Sequence, residues 1–257
     1  MKKLLMLFMI VVSVVALGDL IIVLKSGEKI TVPVDPNEID RIIFMPVGEA
    51  GGVTTGSIWD IYQWYWDDPE NNDNYTLLEN GVKLYVNPKQ DIWRNTRRGY
   101  SKEGAPMLVT RMPSEDWVFM AKYKLLNDPK DSYQFGLVVW NGSSEDGKVY
   151  ALYFGPYCGL GKDIRVEGHY SKYAEVHGPV AYDKFTREGY LKIEKEGNRL
   201  IFGYNSVDWK LGTFEKPWKT VEIEIPAGEF SYVGFIGKTW GNSDLEVLFT
   251  DISLKTK

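Results

Sequence analysis

Both histidines of the chain stand in one run, "RVEGHYSKYAEVHG", where Glu167 and His169 are followed by Glu175 and His177. Residues i and i+2 of a strand share a face, so each Glu-x-His pair could present a carboxylate and an imidazole together, a donor set that zinc accepts. No fixed metalloenzyme spacing accompanies them, and the run reads better as a polar loop on the rim of a groove. Glycosidic cleavage needs two carboxylates, about 5–5.5 Å apart for retention or about 6.5–9.5 Å for inversion. Glu222 and Glu224 in "VEIEIPAGE" and Glu194 and Glu196 in "KIEKEGN" are close in sequence, but paired glutamates on a strand are expected on a solvated face. Glu167 and Glu175 remain as the acids of a hydrolase, if there is one. The single cysteine, Cys158, lies in the loop-like run "GPYCGLG". No histidine is near it in sequence and nothing visible lowers its pKa, so it is expected to pack rather than react.

Binding chemistry is better represented. Aromatic residues make up 14% of the chain, with 9 Trp and 16 Tyr, and flat rings are what sugar-stacking surfaces are built from. In "SYQFGLVVW" the set Tyr133, Phe135, Leu137 and Val139 is apolar and alternates with Gln134, Gly136, Val138 and Trp140. Either the strand is buried on both sides, or its second face is a binding surface.

The elements that must position these residues are almost all strands. "WVFMAKYKL" and "VEIEI" alternate at period two, and "YLKIEKEGNRLIFGY" is a hairpin about "EGN". Helical spacing is nearly absent from 58–257, which predicts an antiparallel sandwich or barrel. "WDIYQWYW" is expected to open it as a strand. Upstream, Met1–Gly18 has the form of a signal peptide: Lys2 and Lys3, an apolar run, then Ala16 and Gly18 at a cleavage site. Residues 19–46 read as a small β-hairpin unit with a third short apolar run, "RIIFM", and 47–57 as a Gly-rich linker.

The order of motifs in 58–257 resembles the concanavalin A-like lectin/glucanase superfamily, and within it the non-catalytic jelly-roll modules. The resemblance is carried by "QDIWRNTRRGY", "APMLVTRMPSEDWVFMAKYKL", "YQFGLVVW", the hairpin that ends "YNSVDWKLG", and the closing "VGFIGKT…LEVLFTDISL". It implies an all-β, two-sheet antiparallel jelly-roll sandwich with a concave outer face that binds glycans. Gln134, Gly136 and Trp140 then face the groove. Gln134, Arg94 and Arg165 are the candidates to bond sugar hydroxyls, and Trp93, Trp140 and Trp240 to stack on rings. The family's tight Glu-x-Asp-x-x-Glu catalytic pattern is missing, which favours binding over catalysis. The alternatives are a glycoside hydrolase with another acid pair, or an envelope structural or adhesion protein whose 19–46 unit docks a partner. The resemblance also implies a structural calcium held by Asp251, with Asp60 near the domain start as a further ligand.

Charge narrows the partners. The formal net charge is −5, and loss of Met1–Gly18 removes two lysines and no acid, leaving −7. An acidic chain without a basic cluster is a poor nucleic-acid binder. The leader, and the lack of a cysteine just after it for a lipid anchor, predict a secreted or periplasmic protein.

Overall fold

The computed structural model describes residues 19–23, 29–33, 58–69, 71–92, 104–130, 132–142, 150–159, 161–171, 174–182, 184, 186–206, 218–225 and 228–257. The chain divides into two compact units, Met1–Glu49 and Ala50–Lys257. In the first, β1 (Asp19–Val23) pairs antiparallel with β2 (Lys29–Pro33), as the alternation about "KSGEK" predicts. The leader, "RIIFM" and the linker lie outside the described residues. Among those residues no helix is long and apolar enough to cross a membrane.

The second unit opens on one helical turn, α1 (Ile58–Ile61), rather than on an unbroken strand. Strand structure begins at β3 (Trp64–Asp67). There follow β4 (Asn74–Leu78), β5 (Gly81–Val86), β6 (Met107–Arg111), β7 (Trp117–Leu125), β8 (Tyr133–Trp140), β9 (Ala151–Cys158) and β10 (Lys162–Ser171). The chain ends with β11 (Ala174–Tyr182), β12 (Glu188–Glu196), β13 (Arg199–Ser206), β14 (Lys219–Glu224), β15 (Tyr232–Thr239) and β16 (Leu245–Thr256). They form two seven-stranded antiparallel sheets, ordered β11-β10-β9-β8-β15-β6-β3 and β14-β13-β12-β7-β16-β5-β4. This is the two-sheet jelly-roll sandwich that the sequence implies.

Period two puts the core between the sheets. β7 alternates cleanly, burying Trp117, Phe119, Ala121, Tyr123 and Leu125. From the first sheet Trp64, Phe135 and Phe235 meet them: Phe235 meets Phe119 edge-on at 5.2 Å, and Phe135 meets Tyr123 edge-on at 5.4 Å. Each such ring removes about 150–250 Å² from water, so these rings dominate the stability of a domain without disulfides. Cys158 is buried and reduced, but it ends a strand rather than sitting in a loop.

Gly136 is required by the backbone, not by a ligand. Its φ is +150°, and a Cβ there would lie 2.0 Å from the Phe154 carbonyl oxygen. Gly155, with φ +156°, would meet the Phe135 carbonyl oxygen at 2.1 Å. β8 and β9 approach too closely at this point for any side chain.

Candidate functional site

The outer face of the first sheet is laid out by its register. Across β10, β9, β8 and β15 one row reads Asp163, Tyr157, Gln134, Lys238, and two further along the strands come Arg165, Gly155, Gly136, Ile236. Next are Glu167, Tyr153, Val138, Gly234, and then His169, Ala151, Trp140, Tyr232. Gln134, Val138 and Trp140 therefore share the face opposite Phe135, as the parity of β8 predicts.

The two ends of this face differ in character. At the Trp140 end an apolar cluster joins Val109, Val138, Trp140, Tyr153, Ile92 and Ala105. Ile92 and Ala105 come from outside the sheet and cover it. Trp140 is 7% exposed and packs at 5.3 Å against Tyr232. The expectation that Trp140 reaches an open groove is therefore corrected: it lies on the outer face, but in a second core.

At the β9–β10 turn the face is polar. The Arg165 guanidinium lies over Tyr157, 3.8 Å from the ring centroid. Its Nε donates to Asp163 Oδ1 at 2.5 Å, its Nη2 donates to Asp163 Oδ2, and Nη1 stands 3.5 Å from Glu167 Oε1. The bonds to Asp163 push the Arg165 pKa above its ordinary value, so its charge is permanent. The Tyr157 ring meets Trp240 at 5.4 Å and 32°. Trp240 is half-buried, so part of the indole faces solvent. Two glycines of the turn keep this corner open: a Cβ on Gly159 would lie 2.4 Å from Tyr157 Oη and 3.0 Å from Trp240 Cζ2, and one on Gly161 3.1 Å from Asp163 Oδ2. Gln134 Nε2 donates to the Arg165 carbonyl oxygen at 3.4 Å, while its Oε1 is buried with no partner. Such an acceptor costs about 1–3 kcal/mol until it receives a donor.

Lys238 ties the two ends together. Its Nζ reaches diagonally past the glycine row to donate to Tyr153 Oη at 3.2 Å. The same ammonium stands 3.3 Å from Asp91 Oδ1 and 3.8 Å from Glu167 Oε2, between the rings of Tyr153 and Trp240. Lys238 and Glu167 are each 2% exposed, and a charge that deep persists only when paired.

Of the sequence-predicted binding residues, Gln134, Arg165 and Trp240 come together at this corner, but Gln134 is 1% exposed, so the expectation that it reaches an open groove is also corrected. Trp93 and Arg94 lie outside the described residues. Tyr157 and Asp163 were missed, although alternation continued across the "CGLG" turn places both on this face. The Glu-x-His run is not a rim loop: β10 and β11 pair so that Glu167 stands opposite His177 and His169 opposite Glu175. Glu194 and Glu222 lie on the solvated side of the other sheet, in ion pairs with Lys192 and Arg199.

The calcium expectation does not meet a fitting donor set. Asp251 is exposed in a bulge of β16 with φ +51°, and its Oδ2 accepts from Tyr190 Oη at 2.8 Å. Asp60 is exposed on α1. Among the described residues no group of three His, Cys, Asp or Glu side chains could hold a metal ion, whereas calcium takes six to eight oxygens, backbone carbonyls included. The bulge itself accounts for an aspartate inside a strand, because Asp tolerates the left-handed conformation.

A cavity of about 500 Å³ opens elsewhere, between the β12–β13 turn and the segment before β15, over Leu200, Ile225 and Phe230. Lys195 on its wall is already bonded to the Ser114 and Glu115 carbonyl oxygens and to Asp116. None of the β9–β10 corner residues lines it.

No protein-family model matches the sequence, and no curated protein matches it. Solved structures do. A functionally unknown protein from Saccharomyces cerevisiae aligns with TM-score 0.57 at 18% identity over 76% of this chain and 97% of its own. A mutant GH43 protein, BlXynB from Bacillus licheniformis, aligns with TM-score 0.54 at 13% identity over 93% of this chain but 46% of its own. An alginate lyase from Pseudomonas aeruginosa gives TM-score 0.49 at 9% identity over 73% and 87%. The second unit is a two-sheet antiparallel β-sandwich, and at such identities its likeness to these structures is one of fold.

Proposed function

We propose that this is an exported, non-catalytic glycan-binding protein, its ligand seated at the β9–β10 corner of the first sheet. The observation that carries the reading is the half-open Trp240 ring beside the Arg165–Tyr157 stack. A sugar ring can lie on the indole, while Arg165 and Asp163 offer donors and acceptors to its hydroxyls. Export rests on the form of Met1–Gly18.

Binding is favoured over cleavage by the state of the acids. A general acid must hold a proton near neutral pH. Asp91 and Glu167 lean on one ammonium, Lys238, and Glu167 also on Arg165. These ion pairs already engage both carboxylates, and Glu167 is closed to solvent.

A glycan array followed by a reducing-sugar assay on the same sample tests the reading. Glycan capture without release of reducing ends is expected. Release of reducing ends would replace it with a hydrolase, and no capture at all would remove it.

A further inference from the structure

The ligand's charge can be read from the ion pairs of the same corner. Two cations face it, Arg165 and Lys238, and three carboxylates hold them: Asp163, Glu167 and Asp91. Arg165 is bonded through Nε and Nη2 to Asp163 and covers Tyr157 with its flat side. Lys238 is closed to solvent. A carboxylate or sulfate on an incoming sugar thus finds Arg165 and Lys238 already paired. It approaches a set of charges that sums to one negative.

We propose that the corner selects neutral glycans and rejects uronic-acid and sulfated ones, with Asp163 as the residue that sets this preference. The inference rests on the glycan-binding reading above and adds the class of sugar. Asp163 acts by occupying Arg165. A neutral sugar needs only hydroxyl-directed bonds from the rim of that pair, whereas an acidic sugar has to displace Asp163 and leave its charge beside the new one. Two like charges within about 4 Å disfavour each other by more than one tenfold step in affinity, even at the effective dielectric of a protein surface.

The test compares two neutral polymers, xylan and mannan, with polygalacturonate and heparin, on the full chain at low salt. Each is titrated against wild type and Asp163→Asn, with thermal melts to confirm folding. Wild type is expected to bind a neutral polymer at least about tenfold more tightly than either acidic one. Asp163→Asn frees the guanidinium and is expected to narrow that ratio by raising affinity for polygalacturonate. If wild type prefers an acidic polymer, the neutral-ligand inference is overturned while glycan binding stands. If Asp163→Asn folds and leaves the ratio unchanged, Asp163 does not set the preference. If folded wild type binds none of the four and captures nothing on the array, the binding reading itself fails.

Discussion

Arg165 lies flat on Tyr157, and the residue across the strand pair from Arg165 is Gly155. A cation on an aromatic face contributes about 0.5–1 kcal/mol when exposed and about 2 when desolvated. Arg165→Lys keeps the charge but loses both the plane and the fork that Asp163 accepts. Glycan affinity is expected to fall about fivefold with the melting temperature little changed. Titration calorimetry beside a thermal melt reads both.

Trp140→Ala is expected to behave oppositely. The indole fills a cluster closed by Ile92 and Ala105, so truncation costs about 3–5 kcal/mol of stability. Residual folded protein is expected to bind glycan normally, because Trp140 stands six residues along β8 from Gln134. Denaturant unfolding measures the first effect and a binding titration the second.

These two variants separate what was legible in the sequence from what was not. Alternation in β8 correctly put Gln134 and Trp140 on one face and Phe135 on the other. It could not say that Trp140 is covered, because Ile92 and Ala105 reach it from far along the chain. The glutamate–histidine run looked like a loop because its polar residues fall at every second position of two paired strands. The burial of Glu167 depends on pairing with Arg165 and Lys238, which no local pattern announces. Asp163 was hidden in the same way, its partner lying two residues on across a strand pleat.

Asp251 can be tested through its backbone. At φ +51°, Asp251→Gly is expected to be nearly neutral, since glycine accepts this conformation and only the Tyr190 bond is lost. Asp251→Val is expected to cost about 1–2 kcal/mol. Added calcium is expected to act alike on wild type and Asp251→Gly, as read from melting curves, because the carboxylate serves Tyr190.

Tyr190 gives the pH dependence. Burial first, and then the Asp251 carboxylate bonded to it, push its hydroxyl up to about 12 from an ordinary value of 10.0. The folded state therefore holds its proton where the unfolded chain has lost it. By linkage, the contribution to stability is complete below about pH 10 and declines as pH rises towards about 12. In Asp251→Asn the tyrosinate meets less repulsion, so the ultraviolet titration of Tyr190 is expected to move to lower pH. An unmoved titration would separate the two residues.

Trp240 carries the central claim, that the β9–β10 corner binds glycan. The direct measurement is a calorimetric titration of Trp240→Ala and wild type with the polymer captured best on the array, each protein first melted. A stacked aromatic at the centre of a binding site typically costs about 2 kcal/mol or more on truncation. Loss of more than about tenfold in affinity with a near-unchanged melting temperature is the result predicted. Undiminished affinity in a folded Trp240→Ala protein would contradict it, and would place any glycan site away from this corner.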